Sequence, residues 1–283
     1  MRIDLHTHSR VSDGTDTPTG LVLKALDAGL DVIALTDHDT FDGVLEAAAA
    51  GKRVGVRVVP GVEMSTEVDG TSVHLLGYGC DVHNAPLAKE LAALREARSR
   101  RLPEMCDKLA ELGMDITGDD IAATARSART LGRPHVADAL VAKGYVANRQ
   151  EAFDKYLAVG KQAYVARYNT DLVRAIDLVH GAGGAAVIAH PWRDSSRHVL
   201  TAPLLQKLVT EHELDGIEVD HEDHDDHTRR LLFEMGGRLG LVRTGSSDHH
   251  GTGKEGHALG CNLTRKPAFM ELVSRIRQRG GIV

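Results

Sequence analysis

The sequence predicts an α/β fold in which a largely parallel sheet packs against helices. The main observation is that short apolar runs alternate with helix-like segments, about seven times along the 283 residues. A second observation is that histidines and acidic residues follow several of the apolar runs. Active residues gather at the carboxyl ends of parallel strands both in closed barrels and in open, doubly wound sheets, so both architectures remain possible.

Seven runs rich in apolar and β-branched residues are predicted as strands. In chain order they are residues 2–5, 31–36, 56–64, 72–78, 185–190, 215–220 and 241–245. The turn signal Asp69-Gly70 predicts a hairpin between the third and fourth strands. This hairpin interrupts the alternation of strands and helices locally.

Helices are predicted between the other strands, and the first one carries clear boundary signals. Thr17 suits the N-cap, Pro18 the first helical position and Gly29 the end of the helix. Further amphipathic segments occupy residues 39–53, 170–184, 202–214, 226–240 and 267–280. Together with the strands, these helices account for most of the chain.

The middle of the chain has a different pattern. A charged helical stretch runs from about residue 86 to 112 and is kinked or split at Pro103, and the segment that follows is helical without an apolar strand. We therefore expect a catalytic unit formed by residues 1–99 and 166–283. Residues 100–165 would form a small helical insertion, or cap, that contributes to substrate binding. A pair of helices that only decorates the sheet is the alternative.

Composition limits the possible partners and surroundings. A net charge of −6 and a pI near 6.2 argue against a surface that binds long DNA by neutralising its phosphates. The start MRIDLHTH lacks an apolar signal region, and no later run approaches the roughly 18 apolar residues of a membrane span. Cys80, Cys106 and Cys261 are isolated, which favours free thiols in a reducing compartment. We expect a cytoplasmic protein that binds neither membrane nor long DNA.

Histidine is unusually frequent, with 16 residues, and many of these lie at predicted strand ends. His6 and His8 end the first strand, and their side chains share one face because strand residues two apart point to the same side. A single histidine on a strand is more often packed or exposed than a ligand, but recurrence at one rim predicts a polynuclear metal site. The candidate ligands are His6, His8, Asp13, His38, Glu63, His74, His190, Asp248 and His250.

Nine nitrogen and oxygen donors exceed the needs of one ion, since a catalytic zinc usually takes three protein ligands and a water. They suit two or three divalent ions, with Mn, Fe or Zn as candidates and Glu63 as a bridging carboxylate. Three divalent ions, set against three carboxylates and one hydroxide, leave a net charge of about +2, which suits a phosphate dianion. Hydrolysis of a phosphate ester is the chemistry that this charge favours.

The motifs HTHxxxSDG, TDHD, PGxE, AHP and SDxH, together with GRPH in the insertion, resemble the PHP superfamily, named for its polymerase and histidinol phosphatase members. The resemblance covers nearly the whole chain and implies a distorted (β/α)7 barrel of the TIM type with a trinuclear site. It implies a hydroxide that bridges the metals as nucleophile, with Glu63 and Asp248 as catalytic carboxylates. The implied ligand sets are His6, His8, Glu63 and Asp248 for one ion, Asp13, His38 and His250 for a second, and Glu63, His74 and His190 for a third.

Candidate substrate contacts lie mainly in the insertion. Arg133 and His135, in the sequence GRPH, begin a predicted helix whose free N–H groups and guanidinium favour an anion. Lys161 is a further candidate, although a loop lysine is usually solvated, and Arg133 could instead pair locally. His221 lies directly after a strand and is expected to approach the pocket, whereas the remainder of the acidic tract 220–227 is expected to be a solvated helix start.

A metal-bound phosphate and a second anion contact suit a substrate with two phosphates. Stand-alone PHP proteins with this insertion resemble phosphatases of nucleoside 3′,5′-bisphosphates, so we predict hydrolysis of the 3′-phosphate of adenosine 3′,5′-bisphosphate (pAp) to give AMP. The alternatives are a 5′-to-3′ exoribonuclease acting on short RNA, a phosphatase of the histidinol phosphate type, and a non-catalytic metal-binding scaffold. The expected partner is a small phosphate ester, most simply a nucleotide.

Overall fold

The computed structural model describes residues 1–125, 128, 130–193 and 196–283, and within them eight strands form one sheet. The strands are β1 (Ile3–Thr7), β2 (Val32–Leu35), β3 (Arg57–Val68), β4 (Thr71–Tyr78), β5 (Thr170–Asp171), β6 (Ala185–Ile188), β7 (Gly216–Asp220) and β8 (Val242–Gly245). The seven predicted strands are thus present. The additional strand, β5, has only two residues, too few to show a period in the sequence.

The helices in the described ranges are α1 (Pro18–Asp27), α2 (Val44–Val54), α3 (Ala85–Arg100), α4 (Leu102–Glu111), α5 (Gly118–Ala125), α6 (Arg133–Ala142), α7 (Arg149–Ala152), α8 (Leu172–Gly181), α9 (Ser196–Val199), α10 (Ala202–His212), α11 (Asp226–Arg238) and α12 (Lys266–Gln278). A π-helical turn spans Phe153–Leu157, and a 3₁₀ turn spans Gly251–Gly253. Thr17 caps α1 as predicted, because its side chain accepts a hydrogen bond from the Gly20 amide.

The sheet is a distorted, nearly closed barrel. Its strand order is β1-β2-β3-β4-β6-β7-β8, and β5 pairs with the far end of β3. All neighbouring strands are parallel except β4, which is antiparallel to both β3 and β6. The exception follows from the Asp69-Gly70 turn, where both residues adopt positive φ and fold β3 directly onto β4. A parallel bridge from Thr7 to His249 brings the last strand segment beside the first.

Three clusters of buried apolar side chains fix the helices on the sheet. One joins β2 to α1 and α2, a second joins β3, β4, β6 and β7 to α3, α8, α10 and α11, and a third joins most strands to α12. Burial of these side chains is the main favourable contribution to folding of the barrel. The α/β barrel predicted from the motifs is therefore confirmed.

A fourth apolar cluster lies entirely between Leu102 and Val165. It includes the fully buried side chains of Met105, Leu140 and Leu157, and so gives the central helices a core of their own. The predicted split near Pro103 is present, because α3 ends at Arg100 and α4 begins at Leu102. The division into a barrel and a cap at residues 100–165 stays a prediction, which this separate core supports.

The sequence predicted that the chain has no membrane-spanning segment and that its three cysteines are free thiols. No described helix combines the length and the apolar character needed to cross a membrane. Cys80, Cys106 and Cys261 are all free, and Cys80 is buried, where burial raises the pKa of its thiol to about 12. The thiol of Cys80 is therefore protonated and unreactive at neutral pH.

Candidate metal centre

Glu63, on β3, lies at the centre of the predicted ligands and is 1% exposed. Its Oε2 lies 3.3 Å from Nε2 of His6, 3.2 Å from Nε2 of His8 and 3.2 Å from Nδ1 of His38. His6 lies on β1, His8 directly follows this strand, and His38 lies in the loop after β2. The ends of two neighbouring strands thus direct three imidazoles at one carboxylate oxygen on β3.

The second oxygen of the Glu63 carboxylate faces two further histidines. Its Oε1 lies 2.7 Å from Nδ1 of His74, on β4, and 3.1 Å from Nε2 of His190, which follows β6. One carboxylate therefore has imidazole nitrogens near both of its oxygens. This arrangement fits the predicted bridging role of Glu63.

Asp248 faces the same histidine pair from the opposite side. Its Oδ1 lies 3.3 Å from Nε2 of both His6 and His8, and 3.5 Å from Nδ1 of His250. Asp248 has φ 51° and His190 has φ 25°, values in the left-handed region that non-glycine residues seldom adopt. Such strain costs of order 1–3 kcal/mol per residue and concentrates at functional sites.

Asp13, in the loop that follows β1, completes the set. Its Oδ1 lies 3.4 Å from Nε2 of His250 and 3.7 Å from Nδ1 of His8, and its Oδ2 lies 3.6 Å from Nε2 of His38. The structure therefore brings all nine predicted ligands into one cluster, in which all but the half-buried His74 are buried.

The donor atoms of this cluster fall into groups small enough to surround an ion, with all members within 4.8 Å of one another. The groups are His6, His8, Glu63 and Asp248; His8, Asp13, His38 and His250; and His38, Glu63 and His74. The first coincides with a ligand set implied by the family resemblance. The second adds His8 to the expected set, and the third contains His38 where His190 was expected. The assignment of ligands to individual ions stays a prediction.

The unpartnered polar atoms of the cluster fit bound cations. Nδ1 of His8, Nδ1 of His38 and Oδ1 of Asp248 are buried and make no hydrogen bond of good geometry among the described residues, although each lies 3.2–3.7 Å from a carboxylate or an imidazole. An unpartnered polar atom in the interior costs roughly 1–3 kcal/mol, so these atoms need partners. Divalent ions would supply them, and nitrogen and oxygen donors suit Zn, Mn or Fe.

The electrostatics keep the carboxylates of the cluster ionised. Burial would raise the pKa of Glu63, but His38 and His74 hold it well below its usual range. Burial would likewise lower the pKa of His8, but the carboxylates of Asp248 and Glu63 outweigh burial and raise it to about 9. In this chain the excess negative charge of the site is thus offset by histidine protons, which cations would displace.

A family model described as PHP domain matches residues 4–180, the part of the chain that supplies His6, Glu63 and His74. The chain belongs to the PHP domain family. A 3′,5′-nucleoside bisphosphate phosphatase of Chromobacterium violaceum is 34% identical to this PHP protein over 97% of each chain. A 5′-3′ exoribonuclease of Haemophilus influenzae is 36% identical over 88% of this chain and 90% of the relative.

Solved structures show the same fold. A Bifidobacterium adolescentis protein assigned as a metal-dependent phosphoesterase matches with a TM-score of 0.91 and 36% identity, over 96% of both chains. Because both the sequence and the architecture match along the whole length, the PHP barrel extends beyond residues 4–180. The segments after β6 and β8, which carry His190 and Asp248, belong to it.

Glu218, which the sequence did not single out, holds one ligand of the PHP centre in place. On β7 it is fully buried, its Oε1 lies 3.2 Å from Nδ1 of His6, and its Oε2 accepts a hydrogen bond of 2.7 Å from the His190 amide. Ser246 donates its hydroxyl to the same carboxylate. Burial would raise the pKa of Glu218, but His6 and His221 lower it to about 2, so the carboxylate is ionised.

Two buried aspartates organise the loops that carry ligands. Asp37, in the TDHD motif, accepts hydrogen bonds from the amide and hydroxyl of Ser9 and from the hydroxyl of Ser12, at 2.6–2.7 Å. Asp4 accepts the Ser247 amide at 3.0 Å, immediately before Asp248. Neither residue was predicted to have a role, although Asp37 lies within a quoted motif.

Arg133 and His135, the predicted substrate contacts at the start of α6, form hydrogen bonds with other groups of the chain. The Arg133 guanidinium donates to the Leu157 carbonyl at 3.2 Å and lies 5.5 Å from the ring centre of Phe153. His135 is 4% exposed, and its Nδ1 accepts a hydrogen bond of 3.1 Å from the Gly132 amide. Both side chains thus fix the α6 N-terminus, and their contact with substrate stays a prediction.

His221 is fully buried, and its Nε2 lies 3.4 Å from Oδ2 of Asp248, as its strand-end position suggested. Two unpredicted side chains lie beside it: His257 forms a group with His221 and Asp248, and the Lys254 ammonium lies 2.6 Å from Oδ2 of Asp248. Lys161 is exposed on the turn after the π-helix, in agreement with the solvated alternative. The role of each in substrate binding stays a prediction.

The acidic tract 220–227 is only partly solvated. Asp225 caps α11 by accepting a hydrogen bond from the Thr228 amide, as expected for an acidic helix start. His224, however, is 3% exposed, and its Nδ1 lies 2.9 Å from the Val219 carbonyl. The expectation of a solvated face was wrong for His224, because this imidazole turns back onto the end of β7.

Proposed function

We propose that this PHP protein is a metal-dependent phosphoric monoester hydrolase that removes the 3′-phosphate from nucleoside 3′,5′-bisphosphates and leaves nucleoside 5′-monophosphates. The observation that carries the proposal is the convergence of nine residues with nitrogen or oxygen donors, eight of them buried, in one cluster that includes Glu63 and Asp248. The name of the Chromobacterium violaceum relative, which matches over almost its full length, supports this substrate class.

The chain's own residues would hold two or three divalent ions, with Mn, Fe or Zn as candidates. When bound, such ions supply Lewis-acid stabilisation of phosphoryl oxygens and activate water. Glu63 and Asp248, the catalytic carboxylates of the proposal, offer oxygens to several ligand groups at once. Glu218 holds His6 in a fixed orientation, so that the site is preorganised before substrate binds.

A second anion contact would determine the preference for two phosphates. Arg133 and His135 lie in the first turn of α6, at the positive end of the helix dipole, which favours an anion. In this proposal they contact the phosphate that is not hydrolysed. Lys161 and His221 are weaker candidates for the same role.

The test is to incubate purified protein with Mn²⁺ and either pAp or histidinol phosphate, and to measure released phosphate and nucleoside products. The proposal predicts phosphate and AMP from pAp, at a kcat/KM well above that for histidinol phosphate. Hydrolysis of histidinol phosphate without phosphate release from pAp would contradict the proposed substrate. Protein that hydrolyses neither ester would point to a non-catalytic scaffold.

A 5′-to-3′ exoribonuclease acting on short RNA is the second candidate. The Haemophilus influenzae relative, named as such an enzyme, favours it, and a net charge of −6 is compatible with short substrates. A length series of 5′-phosphorylated RNA oligomers separates the two activities. A nuclease would degrade the longer oligomers at least as efficiently as pAp, whereas the bisphosphate phosphatase would lose activity as length increases.

A further inference from the structure

A group of three arginines, two buried and one half-buried, lies beside the metal centre, at the junction between α3, α4 and the segment that follows Val165. We call Arg98, Arg101 and Arg167 the arginine cluster. Arg98 is 5% exposed and Arg101 is 6% exposed. Guanidinium groups are rarely so buried unless carboxylates or other anions compensate them.

Arg98 connects this cluster to the metal centre. Its Nε donates to Oδ2 of Asp39 at 2.7 Å, and its Nη2 donates to the Ser65 hydroxyl at 2.7 Å. Asp39 directly follows the predicted ligand His38, and Ser65 is two residues from Glu63 on β3. Arg98 therefore contacts two residues that lie next to the predicted ligands His38 and Glu63.

Neither of the other two arginines forms an ion pair with a carboxylate within the described part of the chain, although the Asp39 carboxylate acts electrostatically on Arg167. Arg101 donates from Nη1 to the Val165 carbonyl at 3.3 Å, and its buried Nε makes no hydrogen bond. Arg167 donates from Nη1 to the Tyr168 carbonyl at 3.2 Å. Burial, reinforced by neighbouring guanidinium groups, lowers the pKa of Arg101 to about 8 and that of Arg167 to about 9.

The guanidinium groups of Arg98 and Arg101 meet at the N-terminus of α6. A Cβ atom placed on Gly132, the N-cap of this ten-residue helix, would lie 3.4 Å from Nη1 of Arg98 and 4.0 Å from Nη2 of Arg101. The helix start adds the positive end of its dipole. Two cationic groups and a helix N-terminus thus surround a position where the chain has no side chain.

We propose that the arginine cluster binds the phosphate of the substrate that is not hydrolysed. This inference rests on the proposed function and adds to it the residues that would select a nucleotide with two phosphates. A phosphate dianion would supply the missing hydrogen-bond acceptor and the missing opposite charge for Arg101, and would add to the negative charge that Asp39 already presents to Arg167. Planar guanidinium groups bind two phosphate oxygens at once, which a point charge cannot do.

The test compares pAp with adenosine 3′-monophosphate (3′-AMP), which lacks the second phosphate. For wild type and for Arg101→Ala and Arg167→Ala, the measured quantity is KM for 3′-AMP divided by KM for pAp. We expect each substitution to lower this ratio by about ten- to a hundredfold, since a hydrogen bond to a charged group contributes roughly 1.5–3 kcal/mol. A reduced fraction of folded protein lowers kcat for both esters but leaves this ratio unchanged.

Arg100→Ala is the matched control, because Arg100 precedes Arg101, is 77% exposed and pairs with Glu96. The ratio of KM for 3′-AMP to KM for pAp should be the same in Arg100→Ala as in wild type. Wild type that hydrolyses pAp, with an unchanged ratio in both cluster variants, would overturn the inference and leave the proposed function standing. If wild type hydrolyses neither ester, the proposed function fails. Calorimetric binding of 5′-AMP then tests the cluster alone, and equal affinity in wild type and Arg101→Ala would overturn it.

Discussion

At the scale of single residues, His6 is held from both sides. Its Nε2 faces Glu63 and Asp248, each at 3.3 Å, while its Nδ1 faces Glu218 at 3.2 Å. A carboxylate behind a histidine fixes the ring orientation and increases its basicity as a ligand. Glu218 is therefore a positioning residue, which acts through His6 and the His190 amide.

Glu218→Gln should weaken metal binding by about ten- to a hundredfold, the usual effect of losing such a partner of a histidine ligand. The measurement is a Mn²⁺ titration of metal-free protein, followed by calorimetry. Glu213→Gln is the control, because the Glu213 side chain is 79% exposed and lies 3.7 Å from Arg279. Equal affinity in wild type and Glu218→Gln would show that Glu218 does not position His6.

The sequence predicted the nine candidate ligands more easily than their supporting residues. The ligands stand out because histidines and acids recur at strand ends, whereas Glu218 lies within a strand and touches His6, which is distant in sequence. The one available signal was a glutamate between Ile217 and Val219 in an otherwise apolar strand. Buried ionisable residues of this kind are seldom found without a partner.

At the scale of elements, the helices between Leu102 and Val165 have their own apolar core. Leu140, on α6, is fully buried in it, and α6 also carries Arg133 and His135. If these helices form a cap that is independent of the barrel, the cap can be loosened without disturbing the metal ligands.

Leu140→Ala should destabilise the cap by about 2–5 kcal/mol, the usual range for removing a buried leucine side chain. Proteolysis within residues 100–165 should become faster and KM for pAp should rise, while the metal content stays at the wild-type value. Leu112→Ala, at a position that is 36% exposed, should have little effect. Loss of metal together with loss of the cap would contradict the proposed division.

Element boundaries were predictable where local chemistry determines them. Thr17, Pro18 and the Asp69-Gly70 turn act within a few residues, so the start of α1 and the β3–β4 hairpin follow from the sequence. The two-residue strand β5 could not be predicted, because it depends on pairing with the distant end of β3.

At the scale of the whole molecule, Asp215 joins elements at the end of the barrel opposite the metal centre. Its carboxylate accepts a hydrogen bond from the Ala186 amide at 2.8 Å, lies 2.9 Å from Nε2 of His180 and pairs with Arg279 at 2.8 Å. It is 1% exposed. Burial would raise the pKa of Asp215, but His180 and Arg279 hold it below its usual value.

Asp215→Asn should lower the free energy of unfolding at pH 7 by about 3 kcal/mol, because it removes the buried charge that pairs with the Arg279 guanidinium. Since the folded pKa lies below the unfolded value of about 3.9, the contribution of this carboxylate is complete above that pH and is lost as the pH falls through the folded pKa. Urea unfolding of metal-free wild type and variant should show a difference in the free energy of unfolding that becomes smaller below about pH 4. A difference that does not change with pH would contradict the ionised contact.

The overall architecture was predictable from strand–helix alternation only as far as a parallel sheet, closed or open. Closure depends on the bridge between Thr7 and His249, and the antiparallel course of β4 depends on pairing with both β3 and β6. The closed barrel was predicted only from the resemblance of the motifs to the PHP family. The arginine cluster could not be predicted, because Arg98, Arg101 and Arg167 come together only when the central helices pack on the barrel.

The most direct test of the metal centre is elemental analysis of protein that hydrolyses a phosphate ester. We predict two or three equivalents of Mn, Fe or Zn per chain in wild type. Glu63→Gln should lose at least one equivalent and most of the activity, because the Glu63 carboxylate lies within reach of five histidines. Active wild type without bound transition metal, or Glu63→Gln with full metal content and full activity, would contradict the account.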